Sequence, residues 1–137
     1  MPTKLVKKPH DIVVAYYQAL YSGDLAQVKA LMNEKSYSMT LESFGLRLAL
    51  KDPLFKSQLK EIETPEILKQ VEIKLSEDLI SRHKNPQIEI TSTLFNGPDR
   101  QTVHYKEDGK DKVLYFSKED EEWKINYYAG RKVSEVL

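Results

Sequence analysis

Residues 87 to 129 alternate apolar and polar side chains with a period of two, and this alternation limits the fold more than any other feature of the sequence. Such a pattern is typical of a β-strand with one buried face. Turn residues divide the segment into four strands, at about 87–95, 100–107, 111–118 and 122–129. The turns are short and follow one another, so the sequence predicts an antiparallel sheet of sequentially connected strands.

The short turns also predict the register of the sheet. A two-residue turn at Asp108-Gly109 places Val103 opposite Leu114, and a two-residue turn at Glu119-Asp120 places Phe116 opposite Trp123. Together with a four-residue first turn, these pairings bring ten residues to one face: Ile88, Ile90, Leu94, Val103, Tyr105, Leu114, Phe116, Trp123, Ile125 and Tyr127. A one-residue slip would expose any strand's apolar set, so this agreement supports the sheet.

The opposite, outer face of the sheet is predicted to be mixed in character. Thr and Lys residues dominate it, but it also carries four apolar side chains, namely Phe95, Val113, Tyr115 and Tyr128. Burying each of them would contribute roughly 1.5–3 kcal/mol. We therefore expect a homodimer formed through this face, with His104 as the titratable group at its edge.

Two helices are predicted near the start of the sequence. Apolar residues recur at helical spacing after Pro9, whose fixed φ suits a first helical turn, and Gly23 supplies the end of the first helix. Asp24 is placed to cap a second helix. The Gly-Asp pair is thus predicted to form a tight connection between two helices.

The middle of the chain is also predicted to be mainly helical. Residues 36–63 have helical spacing that breaks near Asp52-Pro53, although Tyr37 to Leu41 would also fit a short strand. A further helix is predicted to begin at Thr64-Pro65 and to end before Asn85-Pro86.

Composition bounds the class of protein. The 137 residues fit a single domain, 1–137, and Lys plus Arg equals Asp plus Glu at 21 each. Without a basic stripe we expect no binding to nucleic acid. The sequence has neither a signal-peptide run nor an 18-residue apolar segment, so we expect a cytoplasmic protein without a membrane span. The absence of cysteine excludes disulfides and thiolate chemistry.

Two stretches carry a resemblance to a known superfamily. "VVAYYQALYSGDLAQVKALM" (13–32) and "EDGKDKVLYFSKEDEEWKINYY" (107–128) resemble the nuclear transport factor 2-like superfamily, which has a cystatin-like α+β roll. The resemblance implies an α+β fold in which N-terminal helices pack on a curved four-stranded antiparallel meander to form a cone. Members similar to ketosteroid isomerase, scytalone dehydratase or SnoaL-like cyclases place acids, bases or tyrosines in that cone, whereas many others bind ligands or proteins without chemistry.

Five aromatic residues are candidates for the lining of such a cone: Tyr16, Tyr17, Tyr105, Trp123 and Tyr127. Phenol hydroxyls there would suit a bound carbonyl, but filling of a core is the competing interpretation. Isomerase chemistry also needs an acid in the cavity, and every strand acid falls on the outer face, in a turn or at a strand end. We therefore predict a non-catalytic protein that binds a small apolar ligand or a partner protein. The alternative is a ketosteroid-isomerase-like or SnoaL-like enzyme acting on a small apolar substrate in the cone.

No cofactor or metal site is predicted. The three histidines, His10, His83 and His104, do not share a helix or strand spacing, and the glycines near residues 97 and 109 lie in hairpins rather than phosphate-binding loops.

Overall fold

The computed structural model describes residues 7–129, which form five helices followed by a four-stranded antiparallel sheet. The helices are α1 (Pro9–Tyr21), α2 (Leu25–Ala30), α3 (Glu34–Lys51), α4 (Pro53–Leu59) and α5 (Pro65–Ser81). The strands are β1 (Ile88–Phe95), β2 (Arg100–Glu107), β3 (Lys110–Glu119) and β4 (Glu122–Ile125), in the spatial order β1-β2-β3-β4. The predicted α+β class is confirmed, and the sheet is open.

The connection between α1 and α2 follows the prediction. Pro9 opens α1, and Gly23 has a φ of +77°, a left-handed conformation that glycine adopts without strain. The Asp24 carboxylate accepts a hydrogen bond of 3.1 Å from the Gln27 amide and so caps α2.

The centre of the chain contains helices α3, α4 and α5 and no strand. α3 runs without interruption through Tyr37 to Leu41, so the alternative of a strand there is wrong. The break at Asp52-Pro53 is confirmed. The Asp52 carboxylate accepts hydrogen bonds from the amides of Leu54 at 3.0 Å and Phe55 at 3.3 Å, and it thereby begins α4.

Polar contacts fasten α5 to α3. The Arg82 guanidinium donates to the Asp78 carboxylate at 2.7 and 3.1 Å and to the Phe44 carbonyl at 2.9 Å. The side chains of this ion pair are only 10% and 16% exposed, so losing either partner would leave a poorly solvated charge. Further along, the Tyr37 hydroxyl donates to the Glu72 carboxylate.

The sheet register agrees with the prediction in the β2–β3 hairpin and differs from it in the β3–β4 hairpin. Val103 lies opposite Leu114 as predicted. In the β3–β4 hairpin, however, Phe116 lies opposite Ile125 and Trp123 lies opposite Lys118, so the predicted Phe116–Trp123 pair is wrong. The turn residues are 120 and 121 rather than 119 and 120. Because the pairing shifts by two residues, Trp123 keeps its predicted face but moves toward the end of the sheet.

A β-bulge in β1 changes the faces of two other residues. The register shifts between Ile90 and Ser92. Beyond that point Leu94 lies opposite Thr102 on the outer face, and Phe95 lies opposite Gln101 on the face that carries the core residues. The predicted faces of Leu94 and Phe95 are therefore exchanged. Both side chains are exposed, Leu94 by 50% and Phe95 by 75%.

The final strand is shorter than predicted, and another part of the chain pairs with its outer edge. β4 ends at Ile125, and residues 127–129 form a turn. The Ile125 amide donates to the Leu31 carbonyl at 2.8 Å, and its carbonyl accepts from the Asn33 amide at 3.0 Å. The segment between α2 and α3 thus covers the outer edge of β4, which an unpaired strand would expose.

The core lies between the helices and the inner face of the sheet. α1 contacts β1, β2 and β4, and the sheet contributes five buried side chains: Val103, Tyr105, Leu114, Phe116 and Ile125. All five were predicted to face inward. Trp123 is only partly buried, which follows from its displacement along β4.

Gly23 and Gly109 both have a positive φ but differ in the space around them, so substitutions at the two positions distinguish backbone strain from a steric clash. A Cβ at Gly23 would lie 2.6 Å from the Ser76 hydroxyl and 2.7 Å from the Ile80 side chain, whereas one at Gly109, with φ +82°, meets nothing within 4 Å. We expect Gly109→Ala to cost about 1–2 kcal/mol of unfolding free energy and Gly23→Ala about 2–4 kcal/mol. Urea denaturation would measure both, and equal losses would contradict the close packing of α5 on Gly23.

Candidate functional site

Four of the five predicted lining residues come together in the core. Tyr16 and Tyr17 project from α1, Tyr105 from β2, and Tyr127 from the turn after β4. Tyr16 and Tyr105 are each 2% exposed, and Tyr17 is 8% exposed. The rings of Tyr16 and Tyr17 meet edge to face at 5.1 Å, as do those of Tyr17 and Tyr105 at 5.8 Å. We call these four residues the tyrosine cluster.

The hydroxyl groups of the tyrosine cluster bond to one another. Tyr17 and Tyr105 share a hydrogen bond of 2.6 Å, and Tyr16 and Tyr127 share one of 3.3 Å. Thr40 of α3 adds a contact of 3.2 Å to the Tyr127 hydroxyl. Within residues 7–129, no buried side-chain nitrogen or oxygen atom lacks a hydrogen-bond partner. The cluster therefore satisfies its own polar groups, as a packed core requires.

Two residues that sequence reasoning missed hold Tyr127 in place. Ser36 is fully buried, and its hydroxyl accepts a hydrogen bond of 2.9 Å from the Tyr127 amide. Thr40, one helical turn later, contacts both the Tyr127 hydroxyl and the Met32 sulfur. The sequence signal for these two residues was their spacing: Ser36 and Thr40 are four residues apart, next to Tyr37 and Leu41 on the buried face of α3.

Burial keeps the phenols of Tyr16, Tyr17 and Tyr105 neutral. Desolvation raises the pKa of Tyr105 to about 12, and it also raises the pKa of Tyr16 and Tyr17 well above the usual range. For Tyr17 the hydrogen bond to Tyr105 raises the pKa further. These side chains can donate hydrogen bonds at neutral pH, but they cannot serve there as general bases.

One carboxylate lies closer to the tyrosine cluster than the sequence suggested. Glu107, at the end of β2, shares the inner face with Tyr105 and adds to the elevation of the pKa of Tyr17, Tyr21 and Tyr105. Its position at a strand end led sequence reasoning to set it aside. It is the one strand acid that acts on the cluster within residues 7–129.

Trp123 does not join the tyrosine cluster but lines a surface groove of about 640 Å³. The groove runs between α1, α2 and the β3–β4 hairpin. Its lining comprises Lys7, Ile12, Gln27, Ala30, Leu31, Asp120, Glu121, Glu122, Trp123 and Lys124. The volume falls within the range of roughly 300–1,000 Å³ that is usual for small-molecule sites. We call it the Trp123 groove.

Contacts around the Trp123 groove fix its walls. The Lys118 ammonium lies 5.7 Å from the centre of the Trp123 ring and covers the indole from β3. The Lys124 ammonium donates to the Ala30 carbonyl at 2.5 Å and lies 3.4 Å from the Glu122 carboxylate. The Lys124 side chain therefore links β4 to the end of α2, in addition to the backbone hydrogen bonds between Ile125 and the segment after α2.

A second depression, of about 410 Å³, is lined by Leu48, Asp52, Lys74, Glu77 and Asp78. Most of its charges have structural partners. Asp52 caps α4, Asp78 binds Arg82, and Lys74 donates to Gln58 and lies 3.9 Å from Asp52. This makes the depression a weaker candidate than the Trp123 groove.

The structure separates the residues predicted for a dimer face. His104, Val113 and Tyr115 lie on the outer face, where His104 is opposite Val113 and Tyr115 is opposite Thr102. Phe95 lies on the other face because of the bulge, and Leu94 takes its place beside Thr102. Tyr128 lies in the turn after β4 and is 38% exposed.

Comparisons with protein-family models, with curated proteins and with solved structures found no match to this chain. Within residues 7–129, no three His, Asp or Glu side chains are grouped so that they would hold a metal ion. None of the helices in that range combines the length and the apolar character needed to cross a membrane.

The tyrosine cluster predicts a loss of stability in alkali. The pKa of Tyr105 is higher in the folded state than in the unfolded chain, so its contribution is complete below about pH 10 and is lost as the pH rises toward 12. Each such group contributes up to about 1.4 kcal/mol per pH unit to the fall in unfolding free energy.

Urea denaturation of the wild type and of Tyr105→Phe at pH 8, 10, 11 and 12 would measure this dependence. We expect the variant to lose stability less steeply above pH 10 than the wild type. Tyr128→Phe, at a surface tyrosine, is the matched control and should follow the wild type. Parallel curves for Tyr105→Phe and the wild type would contradict the burial of this phenol.

Proposed function

We propose that this chain is a non-catalytic binding protein of the nuclear transport factor 2-like kind, and that it takes a small apolar ligand in the Trp123 groove. The observation that carries the proposal is the groove itself, where a partly buried indole meets the apolar side chains of Ile12, Ala30 and Leu31. A tryptophan that is neither fully buried nor solvated offers a large apolar contact at little conformational cost.

The tyrosine cluster is less suited to a ligand than the groove. Tyr16, Tyr17 and Tyr105 are almost completely buried, Tyr127 is partly buried, and the four hydroxyls are paired at 2.6 and 3.3 Å. A ligand entering there would have to break those bonds and separate rings that already pack edge to face. Tyr16, Tyr17, Tyr105 and Tyr127 are absent from the groove lining. We therefore assign the cluster a structural role.

The alternative is a ketosteroid-isomerase-like or SnoaL-like enzyme, and Glu107 is the observation that favours it. Its carboxylate influences Tyr17 and Tyr105, so an acid and two phenols lie near one another. However, the hydrogen bond of 2.6 Å between the two phenols uses one of their two protons, which leaves fewer donors for a bound carbonyl. Binding without chemistry accords better with this arrangement.

The family assignment in the proposal depends on the order of elements. Helices come first, two of them joined by a Gly-Asp turn, and four sequential antiparallel strands follow. This order is consistent with the resemblance seen in residues 13–32 and 107–128.

We further propose a homodimer formed through the outer face of the sheet. Val113 and Tyr115 lie at its centre, half-exposed Leu94 lies nearby, and His104 faces Val113 across the strands. Apolar side chains adjacent on one sheet face make a patch that two-fold pairing would bury.

The groove proposal predicts saturable binding of a simple apolar probe. Trp123 is the single tryptophan of the sequence, so its fluorescence reports directly on the groove. We expect 1-octanol to shift the emission to shorter wavelength with a Kd on the order of 1 mM, as its small size allows.

Ala30→Phe would fill the groove and should weaken binding by about tenfold or more, which corresponds to about 1.4 kcal/mol. Ala26→Phe is the matched control, because Ala26 is also exposed on α2 but does not line the groove. The absence of a saturable shift, or equal effects of the two variants, would refute the proposed site.

The dimer proposal predicts a concentration-dependent mass in sedimentation equilibrium. We expect the wild type to be a dimer at tens of micromolar and Tyr115→Glu to be a monomer, because the new carboxylate would be buried without a partner. Ser43→Glu adds the same charge at an exposed position of α3 and should remain dimeric. A monomeric wild type, or a dimer that tolerates Tyr115→Glu, would remove this interface.

A further inference from the structure

The charges around the Trp123 groove indicate what kind of polar group its ligand carries, and this inference rests on the proposed binding function. Among residues 7–129, three acids and two lysines line the groove, and they differ in whether they already have partners. Lys124 and Glu122 lie 3.4 Å apart, and the Lys124 ammonium also donates to the Ala30 carbonyl. Their charges largely cancel each other.

Asp120 and Glu121 are in a different situation. They occupy the tip of the β3–β4 hairpin, both side chains are exposed, and neither takes part in an ion pair or side-chain hydrogen bond within residues 7–129. Lys7, also exposed, is the remaining cation of the lining. Two unpaired carboxylates against one ammonium leave the described rim of the groove net negative.

The conformation of the same turn shows that the residue at position 121 is not the type that the backbone favours there. Asp120 and Glu121 have φ values of +51° and +65°, a left-handed region that non-glycine residues adopt at a cost. The β2–β3 hairpin has a turn of the same length, and its second residue is Gly109, with φ +82°. At position 121 the chain carries a carboxylate where glycine would be less strained.

The Trp123 indole, which lines the groove, suits a cation as well. Lys118 already places its ammonium 5.7 Å from the Trp123 ring centre, which shows that the ring is accessible to a cation from the β3 side. Lys118 does not line the groove, so a ligand would contact the indole from elsewhere. The apolar contacts of Trp123 and Leu31 would then hold the body of the same molecule.

We propose that the ligand of the Trp123 groove is an amphiphilic organic cation. Its alkyl or aryl body lies on Trp123 and Leu31, and its ammonium or guanidinium group lies against Asp120 and Glu121. The combination of an apolar base, an indole and two exposed carboxylates selects this class over neutral or anionic amphiphiles, because an anion would meet net repulsion at the rim.

Three probes with the same eight-carbon chain test the charge preference: octyltrimethylammonium, 1-octanol and octyl sulfate. Trp123 fluorescence at low ionic strength measures each affinity. We expect the cation to bind about fivefold or more tighter than the alcohol and the sulfate to bind weakest. Equal affinities, or tighter binding of the alcohol or sulfate, would overturn the cation inference and leave the groove proposal intact. If none of the three binds, the groove proposal fails, and the cation inference fails with it.

Variants of the turn identify the carboxylates responsible. Asp120→Asn combined with Glu121→Gln should reduce the affinity for octyltrimethylammonium to that for 1-octanol and leave the alcohol's affinity unchanged. Asp111→Asn, at an exposed acid of the other hairpin, is the matched control and should bind as the wild type does. An unchanged preference for the cation in the double variant would overturn the assignment.

The variant Glu121→Gly distinguishes a role of position 121 in ligand binding from a role in folding. Because glycine relieves the left-handed strain, we expect this variant to raise Tm by about 3 °C and yet to bind the cation more weakly. A variant that lost cation binding together with stability would show that position 121 acts through the fold, and that result would overturn its proposed role.

Discussion

The pairing of Leu31 and Asn33 with Ile125 is the contact on which the arrangement of this molecule depends. Two backbone hydrogen bonds, of 2.8 and 3.0 Å, join the segment between α2 and α3 to the edge of β4. β4 ends at Ile125, and the chain then turns so that Tyr127 lies beside Ser36 and Thr40. The same pairing sets the end of α2 beside Trp123 and thereby forms the wall of the groove. A single edge contact thus positions both the tyrosine cluster and the candidate ligand site.

The tyrosine cluster and Trp123 lie in different surroundings. The phenols of the cluster lie between the helices and the sheet, and their hydroxyls bond to one another and to Thr40. Trp123, displaced along β4, keeps part of its ring at the surface, where charged residues surround it. The tyrosines therefore provide a specific, hydrogen-bonded core, and we infer that recognition takes place at the hairpin.

Local patterns predicted most of the fold, and they failed at a bulge, at one turn and in the packing of the aromatic side chains. Alternation gave the strands and the inward positions of Val103 and Phe116, because burial on one face forces a period of two. Capping residues such as Asp24 and Asp52 located helix starts. The bulge near Thr91 and the turn at residues 120–121 were not predicted, since a bulge leaves no composition signal and a left-handed Glu121 is uncommon as a second turn residue. Four of the five lining candidates do cluster, but only tertiary packing could show that they fill space and that Trp123 lies apart.

Native-state hydrogen exchange, followed by NMR, tests the central contact most directly. If residues 31–33 hold the edge of β4, the Ile125 and Asn33 amides will exchange nearly as slowly as amides in the centre of the β2–β3 pair, since opening them would require loss of much of the core. Exchange of these two amides at the fast rate of an exposed strand edge would contradict the account. The groove and the position of Tyr127 would then lack the contact that is proposed to form them.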